Sequence, residues 1–244
     1  MTTRTVLCMK WGTRYGPEFV NRLYRSVYRH LDAGFRFVCL TDDASGLEAG
    51  IEPLPIPDLP IPPPFENQPW RKLVVWADRL HDLSGPCLVL DLDIVITGDL
   101  APFFTFEPGR FCVIHNWTQP TKRIGNTSVF RLEIGGHPYI LERYLADPAA
   151  IHAGWRIEQQ YISETISDMV FWPDAWVRTF KLHCLPNMPM RLWQTPSLPD
   201  DAKIIAFPGH PDPDEALAGC WPAPWYKKIY KTVRPTPWIG DHWR

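Results

Sequence analysis

A run of nine residues, Cys87 to Val95 (CLVLDLDIV), constrains the fold of this chain more than any other stretch. Its apolar start has no polar interruption before Asp91, which is typical of a strand buried on both faces in the middle of a parallel sheet. Asp91 and Asp93 come two residues apart, so on an extended strand they point to the same side, about 6.6 Å apart along the chain. The run therefore predicts an α/β protein with two carboxylates at one edge of its sheet.

The two carboxylates need a positive partner. Two negative charges about 4 Å apart repel by about 4 kcal/mol at an effective dielectric near 20, and a divalent cation or protonation of one acid relieves this repulsion. Oxygen-only ligands suit Mg²⁺ or Mn²⁺, which favour phosphate oxygens as further ligands. A bare D-x-D can also be a solvated turn, but the apolar residues before it and the segment Ile94 to Ile96 after it favour a functional site.

Length and composition narrow the possible classes of protein. A chain of 244 residues suits one large domain, or a domain with a small appendage, and buries enough surface to fold without a disulfide or a metal. A net charge of -2 gives no electrostatic footprint for nucleic acid, so we expect no nucleic-acid partner. The six cysteines are widely spaced, and no stretch approaches 18 apolar residues, so we expect a cytoplasmic protein in a reducing compartment.

Residues 5–41 predict a β-α-β unit. Thr5 to Met9 reads as a strand, Pro17 is well placed at the first position of a helix, and Phe35 to Leu40 reads as a second strand. Such a unit makes a parallel sheet, whose ligands bind beyond the carboxyl ends of the strands. The candidates there, each of which could also be an ordinary loop residue, are Lys10, Trp11, Thr41, Asp42 and Asp43.

The next segment is rich in proline. Residues 53–69 contain eight prolines, which exclude a helix or a central strand and favour a long, stiff surface loop within one domain. Trp70 to Leu83 then predicts a helix with one apolar face. Arg71 and Lys72 lie near its start, where they could reach a phosphate or remain solvated.

The second half of the chain adds shorter elements. Arg110 to His115, Asn126 to Leu132 and Lys203 to Phe207 read as strands, while Pro138 to Leu145 reads as a helix. A further helix begins at Glu158, where an acid is also favoured for purely structural reasons. Asn126 could bind a polar ligand or cap a turn.

The last residues form a tail. Residues 221–244 mix four tryptophans with lysine and arginine, so the tail could pack onto the domain or lie at a membrane interface. We therefore expect one domain over residues 1–220, with the proline loop 53–69 inside it, and a tail over 221–244. Peripheral contact with the inner face of a membrane would be made through this tail.

In their order along most of the chain, several segments resemble those of a bacterial nucleotide-sugar glycosyltransferase of the GT-A fold, related to glycosyltransferase family 8. These segments are LCMKWG, YGPEFVNRLY, FVCLTDD, the W-x-K-L of Trp70 to Leu73, LVLDLDIVITGDL, NTSVFRLE, EQQYIS and AFPGHPDP. The resemblance implies a single Rossmann-like domain with a mainly parallel sheet. It also implies metal-dependent transfer of a sugar from a nucleotide diphosphate, with a UDP-sugar as the expected donor, to a glycan or lipid-linked acceptor of the bacterial surface.

The resemblance also implies residue roles. Asp91 and Asp93 match the D-x-D of the family, in which the second aspartate binds Mn²⁺ or Mg²⁺ on the donor diphosphate and the first contacts the metal or the nucleotide ribose. Asn126 matches a residue lining the sugar pocket, and Gln159 matches a residue near the reacting sugar carbon. The expected nucleotide-binding residues are Lys10, Trp11, Thr41, Asp42 and Lys72.

Two departures from the family pattern stand out. Gln160 replaces an acid beside Gln159, and Pro208 stands where the family has a metal-binding histidine. Proline offers no side-chain ligand, so we expect His210, water or a nearby carboxylate to complete the metal site, or else a weakened enzyme.

The family implies retention of anomeric configuration. Gln159 is a poor nucleophile for a double displacement, so we expect same-face attack, with a phosphate oxygen of the leaving group taking the acceptor proton and Glu158 as the alternative base. Two rivals stay open at this point. One is a haloacid dehalogenase-type phosphatase using Asp91 as nucleophile, since residues 91–95 fit D-x-D-x-[TV]. The other, suggested by Pro208, is a non-catalytic protein that binds a sugar nucleotide or glycan.

Overall fold

The computed structural model describes residues 4–66 and 68–244, which fold around two β-sheets. The larger sheet contains β1 (Arg4–Lys10), β2 (Phe35–Thr41), β3 (Glu52–Pro55), β4 (Pro86–Leu90), β6 (Cys112–His115), β7 (Gly125–Glu133) and β8 (Val170–Phe171). The smaller sheet contains β5 (Ile94–Ile96), β9 (Val177–Thr179) and β10 (Ile204–Ala206). The sequence did not predict this second sheet.

The larger sheet has the strand order β3-β2-β1-β4-β7-β6-β8. β1 pairs in parallel with both β2 and β4, and only β7 runs against its neighbours. The prediction of an α/β fold with a mainly parallel central sheet is therefore confirmed. β3, drawn from the start of the proline-rich segment, lies at the edge, where proline does not interrupt a ladder on both sides.

The helices are mostly short. They are α1 (Pro17–His30), α2 (Ala101–Thr105), α3 (Tyr139–Ala146), α4 (Pro148–Gly154), α5 (Glu158–Thr165), α6 (Pro213–Ala218) and α7 (Trp238–His242). The backbone also contains three 3₁₀ segments, which are Pro69–Trp76, Met190–Leu192 and Trp225–Lys227, and one π-helical turn, Phe180–Cys184. Among the described residues, no helix combines the length and apolarity needed to cross a bilayer.

The run that constrains the fold is not one strand. β4 ends at Leu90, and β5 begins at Ile94 and joins the smaller sheet by pairing antiparallel to β10. The chain changes sheets between them because the Asp91 N–H bonds to the Ser128 carbonyl at 2.9 Å, while the Asp93 carbonyl accepts from the Phe207 N–H at 2.9 Å. The D-x-D therefore lies in the turn between two strands, each in a different sheet.

The helix predicted from Trp70 to Leu83 is also wrong beyond Trp76. A 3₁₀ helix covers Pro69–Trp76, and Ala77 already has extended dihedral angles. The four residues from Leu73 to Trp76 are all buried, including two β-branched valines, so this segment has no solvated face of the kind an amphipathic α-helix presents. Its apolar residues fill the core instead of one helical stripe.

The C-terminal residues enter the core on the α1 side. Val233, Ile239 and Trp243 are buried in the same cluster as the apolar face of α1. The Trp243 ring packs edge-on against Phe19, with ring centroids 5.1 Å apart, and the Arg22 guanidinium lies over it. Part of the aromatic content of residues 221–244 is thus used for packing.

Candidate active site

A cleft of about 620 Å³ opens at the carboxyl ends of β1 and β4. The strand order places these two ends side by side, as expected for a ligand site in a parallel sheet. Of the residues singled out from the sequence, those lining it are Lys10, Trp11, Lys72, Asp91, Asp93, Glu158 and Gln159. The cleft therefore brings together the D-x-D and the start of α5, which are far apart in sequence.

Asp91 is paired with a buried lysine. The Lys72 ammonium lies 2.5 Å from an Asp91 carboxylate oxygen and donates to the Thr127 carbonyl at 3.1 Å. Burial alone would lower the pKa of Lys72, but the Asp91 and Glu158 carboxylates outweigh it and raise the pKa. Lys72 thus stays charged and neutralises Asp91, and its predicted contact with the nucleotide stays a prediction.

Glu158 lies next to this pair at the first position of α5. It is buried, and one carboxylate oxygen accepts a 2.7 Å hydrogen bond from the Thr127 hydroxyl. Its other oxygen, Oε2, is buried and has no protein partner among the described residues. Burial raises the pKa of Glu158. Glu158 therefore offers an unused polar atom at the wall of the cleft.

Asp93 has a different environment from Asp91. Burial, followed by the negative charges of Asp91 and Asp212, raises the pKa of Asp93 to about 7. No lysine or arginine of the described chain forms an ion pair with it in the way that Lys72 does with Asp91. The charges of Lys72 and Arg14 act against this rise without cancelling it.

The turn after β10 brings a further carboxylate to the Asp93 end of the cleft. Asp212 accepts a hydrogen bond from the Tyr15 hydroxyl at 3.2 Å and lies 3.6 Å from the Arg14 guanidinium. Tyr15 and Arg14 both line the cleft beside Asp93. Burial raises the pKa of Asp212, although the Arg14 charge and the Tyr15 hydrogen bond act in the opposite direction. The sequence pattern indicated His210 as the candidate ligand in this turn, and Asp212 was not predicted.

The Lys181 side chain also lies at the Asp93 end of the cleft, and no sequence pattern predicted it. Its ammonium donates to the carbonyl of Pro208, a residue that lines the cleft, at 2.5 Å. Burial and the nearby charge of Lys231 lower the pKa of Lys181, whereas Asp93 and Asp212 act in the opposite direction. Lys181 lies on the π-helical turn, a type of distortion frequent at functional sites, in a stretch where the apolar periodicity gave no signal.

Three other predicted residues lie outside the cleft lining. The Thr41 hydroxyl donates to the Asp43 carbonyl at 2.9 Å, and Asp42 accepts from the Gly12 N–H at 2.9 Å, which holds the loop after β1 in place. Asn126 lies in β7, and its side-chain oxygen accepts from the Ser128 N–H at 3.1 Å. Its neighbours Thr127 and Ser128 line the cleft instead.

His210 turns toward α6. Its ring nitrogen lies 2.9 Å from Glu215 and 3.7 Å from Asp212. Glu215 and Asp212 also form the capping box of α6. Ligand atoms of His210, Asp212 and Glu215 lie within 4.8 Å of one another. None of the three residues lines the cleft itself, but the charge of Asp212 contributes to the raised pKa of Asp93.

The ligand chemistry at the Asp93 end suits a hard divalent cation, although among the described residues the one group of three possible ligands within 4.8 Å of one another is His210, Asp212 and Glu215. Asp91, Asp93 and Asp212 offer carboxylate oxygens, the ligand type that Mg²⁺ and Mn²⁺ prefer. Burial is the main cause of the raised pKa values of Asp93 and Asp212, and a bound cation would favour the charged form of each carboxylate. The position of Pro208 gives no side-chain ligand, so an oxygen-only set is the one present here.

Comparison with known proteins bears on the fold. No protein-family model matches the chain, and no curated protein matches its sequence. Among solved structures, the chain is similar to the galactosyltransferase LgtC in complex with donor and acceptor sugar analogues, with a TM-score of 0.62 and 10% identity over 86% of this chain and 88% of LgtC. An active-site mutant of LgtC gives a TM-score of 0.61 at 10% identity, covering 86% of this chain and 89% of that one.

A second protein has the same fold at its core. The glycosyltransferase GlyE of Streptococcus pneumoniae TIGR4 gives a TM-score of 0.58 at 13% identity over 86% of this chain. The match spans 56% of the GlyE chain. The chain therefore has the GT-A fold of bacterial glycosyltransferases, as its sequence predicted.

Proposed function

We propose that this protein is a metal-dependent glycosyltransferase that moves a sugar from a nucleotide diphosphate to an acceptor hydroxyl. The observation that carries the proposal is the cleft at the carboxyl ends of β1 and β4, where the two D-x-D carboxylates face a site of about 620 Å³ within a GT-A fold. Ligands of open α/β sheets bind at this place. The volume lies within the range of small-molecule sites.

Asp93 and Asp91 would hold Mn²⁺ or Mg²⁺, with Asp212 supplying the ligand that Pro208 cannot. Bound there, the cation would supply Lewis-acid stabilisation of the negative charge on the leaving diphosphate. Lys181 and Arg14 lie at the same end of the cleft, where their positive charges would also stabilise the leaving diphosphate. Lys10 and Trp11, at the end of β1, are placed to contact the nucleotide, which we propose is UDP.

Gln159 and Glu158 line the cleft at the start of α5. An amide is a poor nucleophile, so a double displacement through Gln159 is disfavoured. We favour retention by attack on the same face, with a leaving phosphate oxygen accepting the acceptor proton. Glu158 is the alternative base: its raised pKa makes it a stronger base than an ordinary carboxylate, but one of its oxygens already accepts a hydrogen bond from Thr127.

The acceptor is a glycan or a lipid-linked sugar of the bacterial surface, and the protein acts in the cytoplasm. Residues 1–220 would form the transferase domain, and residues 221–244 a tail that contacts it. A phosphatase of the haloacid dehalogenase type is disfavoured because its D-x-D follows the first strand of its core, whereas here the motif follows β4.

Thermal unfolding with nucleoside diphosphates, with and without Mn²⁺, tests the donor site. A ligand at a hundred times its dissociation constant stabilises by about 2.7 kcal/mol, which moves the midpoint by roughly 2 to 4 °C per kcal/mol at this size. We expect one nucleotide to raise the midpoint only with metal, and Asp93→Ala to abolish the rise.

Two outcomes would count against the proposal. No stabilisation by any nucleoside diphosphate would contradict the donor site itself. Metal-dependent binding without hydrolysis or transfer to any acceptor would instead support the non-catalytic sugar-nucleotide binding protein. The test therefore separates the donor site from the chemistry performed there.

A further inference from the structure

Exposed apolar side chains are concentrated in one part of the molecule. Of the twelve large apolar side chains exposed in the described residues, nine lie in two short segments. We call their surface the apolar-basic face; its exposed apolar members are Leu182, Met188, Met190, Leu192, Trp193, Trp225, Tyr226, Ile229 and Tyr230. Trp225 is 86% exposed and Ile229 is 75% exposed, so these side chains are not partly buried core residues.

The two segments contact each other. The Arg191 guanidinium donates to the Tyr230 carbonyl at 3.3 Å, and the Arg234 guanidinium donates to the Leu192 carbonyl at 3.4 Å. Trp221 lies between the segments, with the Arg191 and Lys231 charges each 6.0 Å from its ring centre. The exposed residues therefore form one continuous surface built on two 3₁₀ turns.

The two parts of the chain that build this face carry charge of one sign. Residues 175–199 and 216–240 contain no aspartate or glutamate, although the whole chain has more acids than bases. Their basic residues are Arg178, Lys181, Arg191, Lys227, Lys228, Lys231 and Arg234. Seven positive charges without a negative one are unusual in a chain with a net charge of -2, and they complement an anionic partner.

We propose that the apolar-basic face docks onto an anionic phospholipid bilayer and holds the cleft beside its surface. Tryptophan and tyrosine together with lysine suit the headgroup region of a bilayer, where aromatic rings insert and ammonium groups contact lipid phosphates. A protein partner is less well matched, because lysine is depleted in the cores of protein interfaces, whereas Lys227, Lys228 and Lys231 lie among the exposed aromatic residues.

The face is continuous with the cleft. Leu182, one of its exposed members, follows Lys181, whose ammonium contacts the carbonyl of Pro208 in the cleft wall. The charge of Lys231, within the face, acts on Lys181 as well. A bilayer bound to the face would therefore lie near the Asp93 end of the cleft, where a lipid-linked acceptor could enter. Vesicle binding does not depend on the proposed transferase activity, whereas this role for the acceptor rests on it.

Sedimentation with vesicles tests the proposal. We expect the full chain to bind vesicles of phosphatidylcholine containing phosphatidylglycerol, and to bind pure phosphatidylcholine much more weakly. Trp225→Ser with Ile229→Ser should lower the partition coefficient at least about tenfold. Lys227→Gln with Lys231→Gln should lower it by about fivefold per charge removed, on the anionic vesicles only.

The matched controls are Tyr28→Ser and Leu145→Ser, which replace exposed apolar residues outside the two segments and should bind like the wild type. Unfolding temperatures establish that each variant is folded, and the nucleotide-induced shift reports separately on the donor site. Wild-type protein that stays in solution with anionic vesicles would overturn the proposal, as would Trp225 and Ile229 variants that still bind fully. A dimer in solution that the same variants dissociate would also overturn it, by assigning the face to a second copy of the chain.

Discussion

Asp91 and Asp93 are two residues apart in one motif, yet the protein treats them differently. Asp91 is held by the buried Lys72 at 2.5 Å. Asp93 faces Asp91 and Asp212 without such a partner, and its pKa rises to about 7. One end of the cleft is thus electrically balanced by the protein itself, and the other end is not. The motif looks symmetric in sequence, but its two carboxylates have different electrostatic surroundings.

The difference has a structural origin. Asp91 follows β4 directly and lies over the 3₁₀ segment that carries Lys72, whereas Asp93 leads into the smaller sheet and meets the turn after β10. The two aspartates therefore take their neighbours from different parts of the chain. Each of the following changes tests one side of this comparison.

Removing the positive charge at the Asp91 end should have the largest effect. Lys72→Met leaves Asp91 and Glu158 buried without their shared cation, and breaking a buried ion pair from one side costs about 3 to 5 kcal/mol. We expect urea unfolding to show a loss of this order. Adding Asp91→Asn to Lys72→Met should restore part of it. The exposed Lys122→Met serves as control, and a loss below about 1 kcal/mol for Lys72→Met would show that the pair is not needed for stability.

A substitution at the Asp93 end of the cleft should change the affinity for ligand more than the stability of the fold. Lys181→Gln removes a charge next to the cleft, and hydrogen bonds to charged groups contribute about 1.5 to 3 kcal/mol, so affinity for UDP should fall at least about tenfold. Affinity for uridine, which lacks the phosphates, should be unchanged, and Lys181→Arg should retain most of the UDP affinity. Titration calorimetry measures all three. Equal losses for UDP and uridine would mean that Lys181 supports the cleft wall without contacting the diphosphate.

The same contrast shows what the sequence could predict. The β-α-β unit, the buried strand β4 and the α/β fold class followed from apolar patterns and a few turn residues, because these are local signals. The break of the run after Leu90 depends on hydrogen bonds to Ser128 and Phe207, which no local pattern encodes. Lys181 and Asp212 come near the cleft only through the packing of the smaller sheet, so no motif marks them in the sequence. The sequence indicated Lys72 as a residue near the ligand site, but its pairing with Asp91 depends on the tertiary fold.

The charge at Asp93 should also appear in the pH dependence of stability. Its folded pKa, about 7, exceeds the ordinary value of 3.8. Protonated Asp93 therefore favours the folded state at low pH, and this contribution is lost as the pH rises toward 7. Each pKa unit corresponds to about 1.4 kcal/mol. Because Asp93 is only partly buried, we expect at least about 1 kcal/mol, or roughly 2 to 4 °C, between pH 5 and pH 8.

Metal-free Asp93→Asn should reveal this difference, since asparagine does not titrate. Its unfolding temperature should exceed that of the wild type by more at pH 8 than at pH 5. The exposed Asp201→Asn is the matched control and should follow the wild type at both values. A gap between Asp93→Asn and the wild type that stays constant with pH would show that Asp93 is compensated like Asp91, which would remove the contrast between the two ends.

The smallest effect is expected at His210, which the sequence suggested as a metal ligand. His210 bonds to Glu215 and does not line the cleft, whereas Asp212 lies beside Tyr15 and Arg14 at the Asp93 end. The Mn²⁺ concentration needed for nucleotide binding should therefore change less than about twofold in His210→Ala, which is below 0.5 kcal/mol. In Asp212→Asn, which removes one carboxylate charge, it should rise by about tenfold. The opposite ranking would mean that the turn after β10 rotates to present His210, and that the histidine missing at position 208 is replaced two residues later.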